Sequence, residues 1–216
     1  MKKIGKKVAL YSSKGSAGKT PIATNIVLDR GYAIGTNENF HLFDDFEAIP
    51  ESRVLDVDME EAFEGIDDSI DIVFDLAGSM SRSAESIRSA ITQSHLVIVP
   101  IFDQANSIAS GLGTIAEIEV LNPNILIVAT KLKKNRKEGK RTQWKDTAAF
   151  KNIETQVRGE FDYPILPLRY SEAFDAMTEQ EQSIAQMCDT SPLLNHSYKD
   201  VRQQFDAIYK HIDGVK

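Results

Sequence analysis

The sequence predicts an α/β fold: one domain built on a mostly parallel, twisted sheet with helices on both faces. Three observations lead there. Short apolar runs alternate with helical patterns along the chain, the order that makes parallel strands and crossover helices. Several runs, such as Ile70–Phe74 and Leu96–Val99, are apolar at nearly every position, which suits strands covered on both sides. A glycine-rich loop joins the first run to the first helical pattern. The 216 residues suit one large domain better than two, and a 42% hydrophobic share supplies two sheet faces.

The expected strands are Lys7–Ser12, Tyr32–Thr36, Arg53–Val57, Asp71–Leu76, Leu96–Ile101, Ile125–Thr130 and Ile165–Leu166. Between them the spacing predicts helices over Pro21–Asp29, Ser81–Thr92, Ala105–Leu121, Thr142–Arg158, Thr178–Met187 and Tyr198–Ile212. Pro21 does not spoil the first helix, because the first turn has no amide bond to lose. In the last, Val201, Phe205, Ile208 and Ile212 form one apolar stripe suited to core packing. There is no internal repeat. The one compositional break is a basic, exposed loop at about 131–145.

The loop after the first strand reads Lys14-Gly15-Ser16-Ala17-Gly18-Lys19-Thr20. Strand, glycine loop and helix in that order make a phosphate cradle: backbone N–H groups face phosphate oxygens and the helix N-terminus adds positive field. Lys19 would reach the terminal phosphates and Thr20 would ligate Mg²⁺, with Pro21 closing the segment. The usual first glycine is Ser13, and a second lysine precedes Gly15, so the loop is a deviant Walker A, K-G-x-x-G-K-T. The fold class is thereby narrowed to a P-loop NTPase. A second signal is the strand ending at Asp75, an acid suited to hold a Mg²⁺-bound water at the carboxyl edge of the sheet. Gly78, three residues on, would offer an N–H to the γ-phosphate in a switch loop. After the strand Ile125–Thr130, Lys133 stands where regulatory GTPases place the guanine-reading aspartate. It carries no acceptor, so adenine is favoured and ATP with Mg²⁺ is the expected ligand pair. Thr130 or its backbone would touch the base.

The paired lysines of this loop resemble those of the ParA/MinD family of ATPases. So do, more weakly, Val97–Ile101 with Ser107–Leu112, the segment Pro164–Ala173, and Ser183-Ile184. The resemblance spans residue 7 to about 190. Within the family the pattern is most similar to small plasmid-stability proteins of the StbB kind. It implies that Lys14 crosses a dimer interface to the partner subunit's nucleotide. A cation supplied in trans is chemically apt, since an arginine so supplied to a GTPase accelerates hydrolysis by roughly 10³–10⁵. It also implies an ATP-dependent homodimer, a small DNA-binding partner protein, and a role in plasmid partition or stability. The chain departs from the family after its second strand. The aspartates that help position the attacking water are missing, and Thr36-Asn37-Glu38-Asn39 stands there instead. Glu38 or Asn37 could orient the water, and Asp44 and Asp45 are near in sequence. A slow or partner-stimulated ATPase is the expectation. The alternatives are a carboxylate-activating enzyme of the dethiobiotin-synthetase-like class and a nucleotide-binding scaffold that does not hydrolyse.

The net charge of −7 argues against a uniformly DNA-coating surface, but the charge is uneven. The segment Lys131–Lys145 carries eight cations and one acid, a net +7, which leaves −14 on the rest. Lys133, Lys134, Arg136, Lys137, Lys140 and Arg141 are candidates for non-specific contact with DNA phosphates, with Trp144 available to stack. The single cysteine, Cys188, excludes an internal disulfide, and four scattered histidines form no metal-ligand spacing. No apolar run approaches the roughly 20 residues of a membrane span. Val8–Tyr11 is too short for a signal-peptide core, so a cytoplasmic protein with no membrane partner is expected.

Overall fold

The computed structural model describes residues 4–38, 41–78, 85–139 and 141–215. Seven parallel strands form one sheet: β1 (Lys7–Leu10), β2 (Ala33–Thr36), β3 (Val54–Asp56), β4 (Ile72–Asp75), β5 (Leu96–Phe102), β6 (Ile125–Leu132) and β7 (Ile165–Arg169). Their order across the sheet is β3-β2-β4-β1-β5-β6-β7. β1 therefore lies centrally, between β4 and β5, and the loops after β1 and β4 emerge side by side at the carboxyl edge.

Alternation along β1 shows how the core divides. Val8 and Leu10 face one layer, Ala9 and Tyr11 the other, and all four are buried. The first layer is closed by α1 (Lys19–Arg30), α5 (Ala173–Gln180), α6 (Ile184–Thr190) and α7 (Pro192–Gly214), through Ile22, Ile26, Met177, Met187 and Phe205. The second is closed by α2 (Glu85–Gln93), α3 (Ala105–Ile118) and α4 (Ala148–Arg158), through Ile91, Ile115 and Phe150. Helices on both faces and fully buried central strands, β1, β4 and β5, are what the apolar runs predict. The stripe Val201, Phe205, Ile208 and Ile212 of α7 is buried in the first layer, as its spacing predicts.

Three helices differ from expectation, each for a local reason. The expected helix Thr178–Met187 is two helices. Glu181 takes a left-handed conformation, φ 50°, which ends α5. Ser183 then starts α6 with a capping box: its hydroxyl accepts from the Gln186 N–H, and the Gln186 side chain accepts from the Ser183 N–H. The last helix begins six residues earlier than expected, because Ser191 caps it and Pro192 fits its first turn. The segment expected to enter α4 at Thr142 instead makes a 3₁₀ turn at Trp144–Asp146, and Thr147 caps the helix. The expected helix Ser81–Thr92 begins in residues 81–84, outside the described residues; its remainder is α2.

The exposed basic loop is shorter than expected. Lys131 and Leu132 complete β6, Leu132 is buried, and Trp144 is half-buried. No helix of the described residues is long and apolar enough to cross a membrane.

Candidate phosphate-binding site

The turn between β1 and α1 has the backbone that a phosphate cradle needs. Gly18 immediately precedes α1 with φ 101° and ψ 25°, a conformation that a side chain would strain. Ser16 is left-handed as well, φ 58°. These two inversions fold the loop over the N-terminus of α1. Gly15, Ser16, Ala17, Gly18, Lys19, Thr20 and Pro21 together line a cavity of about 420 Å³. The opposite wall is Gly78, Glu38 and Lys131.

The loop is pinned from both sides. The Thr130 hydroxyl, at the end of β6, donates to the Ala17 carbonyl at 2.8 Å. Ser13, which stands where the usual first glycine would, shares hydroxyl hydrogen bonds with Ser110 (2.8 Å) and Thr114 (2.9 Å) of α3. Its N–H donates to the Thr114 hydroxyl. The serine thus ties the loop to a helix where a glycine could not.

Lys19 and Asp75 are the buried charges beneath the cavity, 6% and 2% exposed. Burial lowers the Lys19 pKa, while the nearby Asp75 and Glu38 carboxylates pull it back up. Burial pushes the Asp75 carboxyl up to about 6, opposed by the Thr20 hydroxyl and by Lys19. One Asp75 carboxylate oxygen, Oδ1, is buried without a hydrogen-bond partner. Orphaned buried acceptors are rare, so this oxygen suits a missing donor such as a metal-bound water. Gly78 comes so close to the loop that an added Cβ would stand 3.1 Å from the Ser12 carbonyl and 3.6 Å from the Gly15 nitrogen. The site therefore fits a magnesium–polyphosphate group in charge, in donor set and in clearance.

A second cavity, of about 210 Å³, adjoins the first and shares Gly18, Pro21 and Lys131 with it. Ile22, Leu168 and Phe174 give it an apolar lining, with Thr130 and Tyr170 beside them. Thr130 is among the residues that line it, with its hydroxyl on the Ala17 carbonyl. Lys133 does not reach this cavity's walls; its ammonium lies 4.2 Å from the Tyr170 ring centroid.

Lys14 is half-buried and is absent from the walls of the cavity its own loop forms. The candidates after β2 separate clearly. Glu38 lines the phosphate cavity. Asn37 is fully used elsewhere: its amide donates to Ser86 at 2.8 Å and accepts from the Ala77 N–H at 2.7 Å. Asp44 and Asp45 sit exposed on a 3₁₀ turn. Asn37 thereby holds the loop after β4, a role no sequence signal announces. In the sequence Lys131 belongs only to the basic run, yet with a left-handed backbone, φ 53°, it lines both cavities.

In the basic segment Lys133, Arg136, Lys137 and Arg141 are exposed, and Lys140 lies outside the described residues. Trp144 is not available to stack on a base. Its indole N–H donates to Asp200 at 2.9 Å, and Lys134 and Arg169 lie 4.7 and 5.3 Å from its ring centroid.

Solved structures similar to this fold cover nearly all of the chain at low identity. A McdA–ATP complex from Cyanothece matches 99% of this chain and 98% of its own, at 14% identity and a TM-score of 0.63. The cell division ATPase MinD of Pyrococcus furiosus matches 95% and 100%, at 12% identity and a TM-score of 0.62. The fold is that of McdA and MinD. A plasmid partition protein from Borrelia burgdorferi, solved with AMPPNP, also matches, at 12% identity over 93% of this chain and 98% of its own, with a TM-score of 0.51. No protein-family model and no curated protein matches the sequence.

Proposed function

We propose that this chain is a Mg²⁺-dependent ATPase that works as a ParA-type dimerisation switch. The observation that carries the reading is the division between its two loop lysines: Lys19 is buried under the phosphate cavity, while Lys14 stands outside it. A lysine placed beside a phosphate loop but off its walls suits a neighbouring subunit's site. Full-length fold likeness to structures solved with ATP and AMPPNP supports the choice of nucleotide.

In this reading the backbone of residues 15–20 receives the phosphates and Lys19 neutralises them. Thr20 and Asp75 would hold Mg²⁺, Asp75 through water, and the ion would supply positive charge for the phosphoryl oxygens. Glu38 orients the attacking water, and the partner subunit's Lys14 completes the charge around the γ-phosphate. Gly78 senses that phosphate by its N–H. The adjoining apolar cavity takes adenine; the missing guanine-reading carboxylate argues against GTP. Closing and opening of the dimer would then serve segregation or positioning of DNA, as in plasmid partition of the StbB kind, with a small DNA-binding partner protein. The exposed Lys133, Arg136, Lys137 and Arg141 supply sequence-blind DNA affinity, doubled in a dimer. An energetic limit applies throughout: the nucleotide can shift the dimer equilibrium only by its differential affinity for the two states.

Phosphate release from the purified chain tests this. We expect Mg²⁺-dependent release from ATP that DNA or a protein partner stimulates, lost together with nucleotide binding in Lys19→Ala. Glu38→Gln should slow release at least tenfold with ATP affinity nearly unchanged. Release that depends strictly on a small carboxylic acid would show a synthetase instead. Tight ATP binding without release under any of these conditions would show a scaffold.

A further inference from the structure

The nucleotide reading leaves unused a cleft of about 820 Å³ at the β7 edge of the sheet, between the basic segment and α7. Lys134, Arg141, Lys145 and Lys199 stand around it. Two carboxylates also line it, but the chain itself engages both. Asp146 pairs with Lys151 at 3.8 Å, and Asp200 accepts from Trp144 and lies 4.0 Å from Arg169. Arg141, Lys145 and Lys199 form no ion pair among the described residues.

Leu166 and Pro167 of β7 and Ala207 of α7 give the cleft apolar walls. Gln204 lines it too, 6% exposed. Its side-chain oxygen accepts from the Arg169 N–H at 3.0 Å, and that bond fixes which end of the amide is which. The other end, Nε2, is buried with no partner. A buried donor left unsatisfied weakens the fold, so it marks a place where an acceptor belongs.

We propose that this cleft binds an extended, acidic peptide segment of a partner protein: a backbone or carboxylate oxygen on Gln204, an apolar side chain against Leu166 and Pro167, and carboxylates on the surrounding cations. The combination selects a peptide over nucleic acid. A rigid duplex lays its phosphates on exposed cations and cannot carry an acceptor down to a buried amide, whereas an extended chain can. β7 is an edge strand, but Pro167 lacks an N–H, so side chains and not continuous strand addition supply the recognition. The inference does not depend on the nucleotide reading, because none of these residues lines the phosphate cavity.

Trp144 lines the cleft and is the only tryptophan of the chain, so its fluorescence reports occupancy. The full-length protein, without nucleotide and at low salt, is titrated with a capped ten-residue peptide of alternating glutamate and leucine. We expect a saturable change in emission. Lys145→Glu combined with Lys199→Glu should weaken binding at least tenfold. Gln204→Glu, which keeps the acceptor for Arg169 but removes the donor, should weaken it about fivefold or more. Both variants should melt near the parent temperature, which separates lost binding from lost fold. A capped deca-glutamate peptide should bind at least fivefold more weakly, because it lacks the apolar anchor. The proposal is overturned by no saturable change up to millimolar peptide, by equal binding of deca-glutamate, or by unchanged binding in the variants. Displacement of the peptide by lower concentrations of a ten-nucleotide oligothymidylate would make the cleft a nucleic-acid site and also overturn it.

Discussion

Two lysines five positions apart divide the chemistry of the loop, and the difference between them is burial and direction. Lys19 lies on the cavity wall and is buried; Lys14 is half-buried and off the wall. Asp75, beneath the same cavity, makes a prediction about pH. Burial pushes its carboxyl from 3.8 up to about 6. A carboxyl that holds its proton more tightly when folded favours the fold while protonated. Stability from this group therefore falls as pH rises from about 4 to about 6, and stays lower above. Asp75→Asn is neutral at every pH. Without nucleotide it should melt a few degrees above the parent at pH 7.5 and show little gain at pH 4. Thermal melts at the two values check this; a variant that melts below the parent at pH 7.5 contradicts it. Gly78 carries a second prediction. A methyl group there would press on the Ser12 carbonyl, so Gly78→Ala should weaken nucleotide affinity severalfold by equilibrium titration, with the melting temperature little changed.

At the scale of elements, the order of strands and helices was legible because burial on both faces writes apolar residues at every strand position. The phosphate loop was legible because its glycines answer a backbone need, as φ 101° at Gly18 bears out. What escaped is what sequence neighbours do not encode. Glu181 breaks a helical pattern with a residue that ordinarily prolongs one. Asn37 works through Ser86 and Ala77, both about 40 or more residues away. Thr130 reaches Ala17 across 113 residues, and its hydroxyl holds the loop. Thr130→Val keeps the shape and removes that hold. It should cost about 1–3 kcal/mol through the orphaned carbonyl and weaken nucleotide binding at the same time, read by denaturation and by titration. Ser183 joins its cap to α1, since its hydroxyl also donates to Asp29 at 2.9 Å. Ser183→Ala should cost about 1–2 kcal/mol, and a chain of this size loses about 2–4 °C of Tm per kcal/mol.

Across the whole molecule, the densest basic run and one acidic cluster lie toward opposite ends of the sheet. The basic segment follows β6 at one end of the sheet, and the body that carries the excess of acid includes Asp44, Glu47, Glu51 and Asp56 beside β3 at the other. Charge reversal at Lys133, Arg136 and Lys137 should weaken DNA retention in a low-salt gel assay and leave ATP affinity unchanged. Equal retention would remove DNA from the proposed function without touching the nucleotide site. The central claim concerns two copies of the chain meeting around two nucleotides. Light scattering with no nucleotide, with ADP and with a slowly hydrolysed ATP analogue tests it most directly. The account predicts a mass near the 24.1 kDa of one chain in the first two states and about twice that in the third. Lys14→Ala should bind the analogue yet stay at the mass of one chain. A parent protein whose mass ignores the analogue, or a Lys14→Ala variant that doubles as the parent does, would contradict it.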